Sequence, residues 1–529
     1  MAIGPLLMLG LVGACGPRGG TAPAAQSRGG QAARVSGDKL VAGAVAAVSR
    51  LDDFDERRAV EQALDRLAQW SHHPASVGQA WRPAPLLATL RPALRGASET
   101  GLDRGSFDAA DVAYIRDCRW LADIARWARG NATTDLDVAR NLFEWTVRSL
   151  AIVGDPPAVP SESSPGSRWL TPGEILLAGR ASGPQRAWIF VELLAQAGID
   201  GVMLATGDAA AGTLRPWLPV AVIDGEAYLF ETTYGMPVPR KEGSSVATVR
   251  EAAADPAVLG ALSLPDRPYP LAAADVAGLS VLVVADPRGL SRRMAALDRE
   301  TRKRHGMRLA VDAEAVGRRA RSAVVAADAT VALWDFPWET AARRPSSGEV
   351  VARELAGLSV AITEARGGGA TPRTVRPLFA ARVREFRGDL DGPDGAKAAY
   401  MAARPSKGVI QQALQGVPAE RADDVERLYR RTKEDATYWL GVLTLAEGEP
   451  EAAIDYLERM TLEAAPDSRW TDAARTNLGR AFEARGRLQE AIDVLRADGS
   501  PQRFGSRLLA ERLETQLEAA SPRPVGPPR

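Results

Sequence analysis

Residues 179–198, "GRASGPQRAWIFVELLAQAG", decide the fold at the centre of the chain. A glycine-bearing turn runs into Pro184, which suits the first helical position, and Gly198 closes the segment. Between them Ala187, Phe190, Val191, Leu194 and Ala197 return at three- and four-residue spacing, so one apolar face asks for burial. The first backbone N–H groups of a helix are unpaired, which is why such a start suits a nucleophile or an anion. Ser182-Gly183-Pro184 supplies no cysteine, and no histidine stands beside it.

Upstream, "FDAADVAYIRDCRWLADIARWARG" from Phe107 reads as an amphipathic helix with Ile115, Cys118, Leu121, Ala122 and Ala125 on one face. Cys118 therefore reads as a small core residue with an inert thiol. A second helix, "DLDVARNLFEWTVRSLAI", follows, then a Pro- and Ser-rich loop from Asp155 to Pro172. Downstream the period changes from helical to two. "GVMLAT" (201–206), "WLPVAVID" (217–224) and "EAYLFETT" (226–233) read as short strands, with Asp224-Gly225 as a hairpin turn. Two helices, a loop, a central helix and antiparallel strands make an α+β domain over 107–244.

That order of elements resembles the transglutaminase-like superfamily, which is related to cysteine proteases. In that family a Cys opens the central helix, with Ala four residues on and a Gly-Ile pair fifteen residues on. Ala187 and Gly198-Ile199 match, which puts Gly183 at the nucleophile position. Counting back from the Asp-Gly hairpin puts the His position at Pro216 or Trp217, and the carboxylate position falls on Glu231. The family's chemistry needs a thiol, a base and an orienting carboxylate. Here the first two are gone, so the resemblance implies a domain that keeps the architecture without the catalysis. It also implies a groove, with Arg186, Trp188 and Trp217 as candidate lining residues. The chain's three histidines, His72, His73 and His305, all lie outside this segment. His72 and His73 read as residues at a helix end, and His305 as part of a helix C-cap. No cofactor and no metal site is implied.

The N-terminus points to an address. Residues 2–14 are apolar but too short to span a bilayer, and Val12-Gly13-Ala14-Cys15 resembles the lipobox of bacterial lipoproteins. That resemblance implies cleavage before Cys15 and lipidation of it, with multiple acyl chains giving stable anchoring. Residues 16–38 are rich in Gly, Ala and polar residues and read as a flexible tether. Lys plus Arg and Asp plus Glu number 66 each, which leaves no net field to recruit nucleic acid.

Residues 39–106 read as a helical segment. Residues 245–405 read as an α/β region, with "LSVLVVAD" (279–286) and "MRLAVDA" (307–313) as strands and a basic helix ending at Gly306 between them. The last hundred residues repeat. "YWLGVLTLAEGEPEAAIDYLER" (438–459) and "TNLGRAFEARGRLQEAIDVLRA" (476–497) align without gaps, pairing Gly441 with Gly479, Gly448 with Gly486 and Leu457 with Leu495. The pattern resembles the tetratricopeptide repeat, over 419–517, with flanking helices expected at 419–434 and 504–517 and a disordered tail at 518–529. It implies stacked helical hairpins and a protein or peptide partner.

Two functions follow as expectations. The first is a non-catalytic scaffold of the cell envelope, lipid-anchored on the periplasmic side. The second is an active envelope hydrolase or acyl-transferase that uses Ser182 or a site within 245–405.

Overall fold

In the computed structural model, the described residues are 36–49, 56–73, 81–99, 101–154, 168–208, 211–240, 245–324, 329–364 and 373–520. Gly37–Arg529 form one compact unit of mixed α and β structure. Two short strands, β1 (Ala151–Ile152) and β2 (Arg180–Ala181), pair in parallel just before the central helix, Gly183–Ala197. The main sheet has six strands in the order β6-β5-β4-β3-β7-β8. Its members are β3 (Asp200–Thr206), β4 (Arg215–Ile223), β5 (Glu226–Glu231), β6 (Met236–Pro237), β7 (Ser280–Val283) and β8 (Val331–Leu333).

Alternation along β3 explains why this sheet is covered on both faces. Met203 and Ala205 join the core beneath the central helix, whereas Val202 and Leu204 join a second core on the other side. On the helix side Phe143, Phe190 and Phe230 form a triad with ring centroids 4.9–5.3 Å apart. Each such pair adds about 1 kcal/mol to the burial of its rings. The turn between β4 and β5 has Asp224 at φ 51° and Gly225 at φ 81°, so both central residues take the left-handed conformation that a tight hairpin requires.

The boundary expected at 244/245 falls inside this sheet. β7 pairs antiparallel with β3, Val202 opposite Val283, and β8 pairs in parallel with β7. The strand expected at 307–313 is irregular chain up to Asp312, where the helix Ala313–Ala323 begins, because side chains take its backbone N–H groups. Asp298 Oδ1 accepts from Leu309 N and Ala310 N at 2.6 and 3.1 Å, and Gln196 Oε1 accepts from Arg308 N at 2.9 Å. The basic helix before it, Arg292–His305, does end at Gly306 in the left-handed conformation. At the other end of the chain order, Gly37 already opens a helix, Gly37–Ser49, within the segment expected to be tether.

The C-terminal region forms two helical hairpins and a further helix, Arg503–Ala520. The segment expected to flank the first hairpin is continuous with it, in one helix Ala419–Ala446. That helix turns at Gly448, φ 77°, into Pro450–Ile454 and a π-helical continuation, Asp455–Glu463. Thr471–Ala484 turns at Gly486, φ 71°, into Leu488–Arg496. The aligned residues do equivalent work. A Cβ on Gly441 would stand 2.7 Å from Leu457 Cδ2, and one on Gly479 would stand 2.6 Å from Leu495 Cγ. Each hairpin crosses where a glycine lets a leucine in.

The first helices of both hairpins are packed against the rest of the chain. Trp439 lies on Gly179 and receives the Arg382 guanidinium 3.6 Å from its ring centroid. Tyr438 stacks on Trp470 at 4.3 Å between centroids, and Asn477 Nδ2 donates to Arg148 O at 3.2 Å. The face these residues share is therefore filled by the chain itself.

Candidate functional site

The start of the central helix is built by a reciprocal cap. Ser182 Oγ accepts from Gln185 N at 3.5 Å, and Gln185 Oε1 accepts from Ser182 N at 2.9 Å. Gln185 Nε2 then donates to Arg168 O at 2.6 Å, fixing the preceding loop to the helix. This start opens onto a cavity of about 630 Å³. Gly183, Pro216 and Glu231, the three positions singled out in the sequence, all line it, as do Ser182 and Trp217.

Glu231 sits at the end of β5 and is 6% exposed. It accepts from Tyr269 O–H in a short contact and from Thr233 N at 2.9 Å. Tyr269 in turn accepts from Trp217 Nε1 at 2.9 Å. The indole, phenol and carboxyl thus form one chain of hydrogen bonds across the wall. Burial raises the Glu231 carboxyl above its ordinary range, and hydrogen bonds from Tyr269 and Thr233 only partly offset it. Burial, together with the neighbouring Glu231, pushes the Tyr269 hydroxyl well above its usual range as well. The wall is a set of donors and acceptors already engaged with one another. Tyr269→Phe is expected to leave Glu231 without its strongest donor and to destabilise the fold by about 1–3 kcal/mol in urea denaturation.

Two residues expected in the groove are elsewhere. Arg186 and Trp188 are each 1% exposed and belong to the interior. The physical reason is helical geometry. Gly183 and Ala187, one turn apart, face the cavity, and neighbours on either side of Ala187 point about 100° away from it. Arg186 donates to Leu150 O, to Thr232 O at 2.9 Å and to Gln502 Oε1 at 2.7 Å. It ties the central helix to the cavity rim and to the turn just before the C-terminal helix. Trp188 Nε1 donates to Glu192 at 3.1 Å, and its ring meets Phe336 edge-on at 5.9 Å.

Other lining residues escaped the sequence reading. Arg267, Tyr269 and Asp275 come from the connection between β6 and β7, and Trp334 follows β8. All four belong to the segment placed outside the α+β domain, and no local pattern marks them. Among the described residues no histidine or cysteine lines the cavity. His72 and His73 follow the helix Glu56–Ser71, and His305 ends Arg292–His305, where burial and two arginines hold its imidazole below the usual range. Cys118 is buried on the helix Ala109–Ala128, and burial pushes its thiol well up. Ser182 lines the cavity with its hydroxyl engaged as a cap.

Cys15 lies outside the described residues. Among the described residues no group of three or more His, Cys, Asp or Glu is placed to hold a metal ion, and no helix is long and apolar enough to cross a membrane. No protein-family model, no curated protein and no solved structure matches the chain.

Proposed function

We propose that this protein is a lipid-anchored, non-catalytic binding protein of the bacterial cell envelope, held on the periplasmic side through Cys15. In this reading the cavity at the start of the central helix belongs to a transglutaminase-like domain that receives a ligand without transforming it. One observation carries the proposal. Where the helix meets the cavity stands Gly183, which has no side chain, and the Trp217, Tyr269 and Glu231 groups around it are committed to one another. Acyl transfer needs a nucleophile with a base in hydrogen-bond reach. Ser182 has its hydroxyl oxygen on Gln185 N and, among the described residues, no imidazole beside it in the cavity.

The lining favours a ligand with an apolar or aromatic portion, since Trp217, Tyr234, Tyr269 and Trp334 all border the space. The helical hairpins, read as tetratricopeptide-like, offer a protein partner the face turned away from the core. Met401 and Val409 are 50% and 40% exposed, and Met401 lies beside Tyr456 of the first hairpin.

Trp217→Ala is expected to weaken ligand capture at least tenfold. Ser182→Ala should preserve capture while losing about 1 kcal/mol of stability with the cap. Loss of capture in Ser182→Ala without unfolding would favour the catalytic alternative. Cys15→Ser is expected to move the protein from membrane to soluble fractions, and an unchanged distribution would remove the anchor from the account.

A further inference from the structure

A second cavity, of about 390 Å³, lies between the helix Asp135–Ser149, β6, the helix Thr471–Ala484 and the C-terminal helix Arg503–Ala520. It shares Tyr234 with the first cavity but faces the helical hairpins. Its polar lining carries Arg148, Arg480 and Arg512 against Glu144 and Glu483.

Arg148 is the unusual group. Its side chain is 14% exposed, its Nε is buried without a hydrogen-bond partner, and the one carboxylate within ion-pair range, among the described residues, is Glu144 at 3.9 Å from Nη1. A guanidinium carries five N–H donors, and burying them unpaired is unfavourable. Glu144 is spoken for, because it makes a short ion pair with Arg480. Among the described residues the fully buried Arg186 has neutral acceptors alone, namely Leu150 O, Thr232 O and Gln502 Oε1. Burial lowers the affinity of both Arg148 and Arg186 for their protons, and the charge of Arg480 adds to it in each case. Arg148, Arg186 and Arg480 thus share one region, where the nearby carboxylates are Glu144 and the buried Asp498, which accepts from the Thr476 and Ser506 hydroxyls of the cavity wall.

We propose that this cavity is a binding site for a small carboxylate with an apolar body, whose carboxylate pairs with Arg148 and Arg480. The charge balance selects a monoanion. Arg148, Arg186, Arg480 and Arg512 against Glu144, Glu483 and Asp498 leave a single positive charge around the cavity, and the two glutamates on its wall repel a dianion such as hydrogen phosphate. The planar fork of Arg148 matches a carboxylate in two parallel hydrogen bonds. Leu445, Leu509, Met236 and Pro237 are half-buried in the remaining wall and give the ligand's body an apolar bed. This site depends neither on the lipid anchor nor on what the first cavity holds.

The test uses the full chain and three probes followed by ligand-observed NMR: hexanoate, hexanamide and inorganic phosphate. Hexanoate is expected to bind saturably, and hexanamide and phosphate at least tenfold more weakly. Arg148→Met should lose hexanoate binding tenfold or more with Tm unchanged or raised, since an unpaired buried cation is removed. Ala484→Glu places a competing carboxylate from an exposed rim position and should weaken hexanoate without touching the interior. Trp217→Ala, in the first cavity, should leave hexanoate binding intact. Equal binding of acid and amide, tighter binding of phosphate, or unchanged binding in both Arg148→Met and Ala484→Glu would overturn the assignment.

Discussion

Gly179→Ala is expected to detach the helical hairpins from the α+β core. Gly179 closes the helix Pro172–Ala178 at φ 62°, and a Cβ there would stand 1.9 Å from Cζ2 of Trp439 and 2.3 Å from its Cη2. Neither partner can give way cheaply. Trp439 is 2% exposed and is held between the Arg382 guanidinium and the Trp470 ring, 5.2 Å away between centroids. Alanine in the left-handed conformation costs about 1–2 kcal/mol, and forcing extra volume into a packed core about 1–3 more. The expected loss is therefore about 2–5 kcal/mol, read from the urea midpoint, with a change in tryptophan emission as Trp439 leaves its pocket. A loss below about 1 kcal/mol would mean that the hairpins do not dock on Gly179 as described.

The second large effect is electrostatic. Burial raises the Glu192 carboxyl from its ordinary 4.5 to about 7, the Trp188 N–H opposes the shift, and Asp286 adds to it. The folded pKa lies above the unfolded one, so the fold favours the protonated acid. Stability from this group is complete below about 4.5, declines as pH rises, and is lost once pH has passed about 7. The interval corresponds to about 3 kcal/mol. Asp117, Asp123, Asp286 and Glu231 are raised by burial too and act in the same direction. Urea denaturation is expected to show greater stability near pH 5 than near pH 8, and Glu192→Gln should reduce that difference by up to about 3 kcal/mol. A pH profile identical in Glu192→Gln and the parent would contradict the assignment.

Much of the centre was legible in residues 179–238 because its signals are local. The turn into Pro184, the apolar spacing and the Asp224-Gly225 hairpin each act over a few residues, and each appears where expected. The glycine-leucine crossings of the hairpins were legible for the same reason, since Gly441 and Gly479 recur with Leu457 and Leu495 in register. What stayed hidden depends on contacts between distant segments. Nothing in the sequence around Tyr269 reveals that its hydroxyl reaches Glu231, 38 positions away. β8 pairs in parallel with β7 across nearly fifty residues, and so short a strand carries little pattern of its own. Arg186 misled for a different reason. Its position beside the helix start suggested a groove, whereas the i, i+4 geometry turns it inward to Gln502, more than three hundred residues away.

The central claim is that the first cavity holds a ligand and leaves it chemically intact. Native mass spectrometry of the purified protein, followed by denaturation, measures this directly. The account expects a non-covalent mass that is released unaltered, retained by Ser182→Ala and lost from Trp217→Ala. A covalent adduct on Ser182, or a ligand released as a cleaved or transferred product that Ser182→Ala no longer yields, would contradict it.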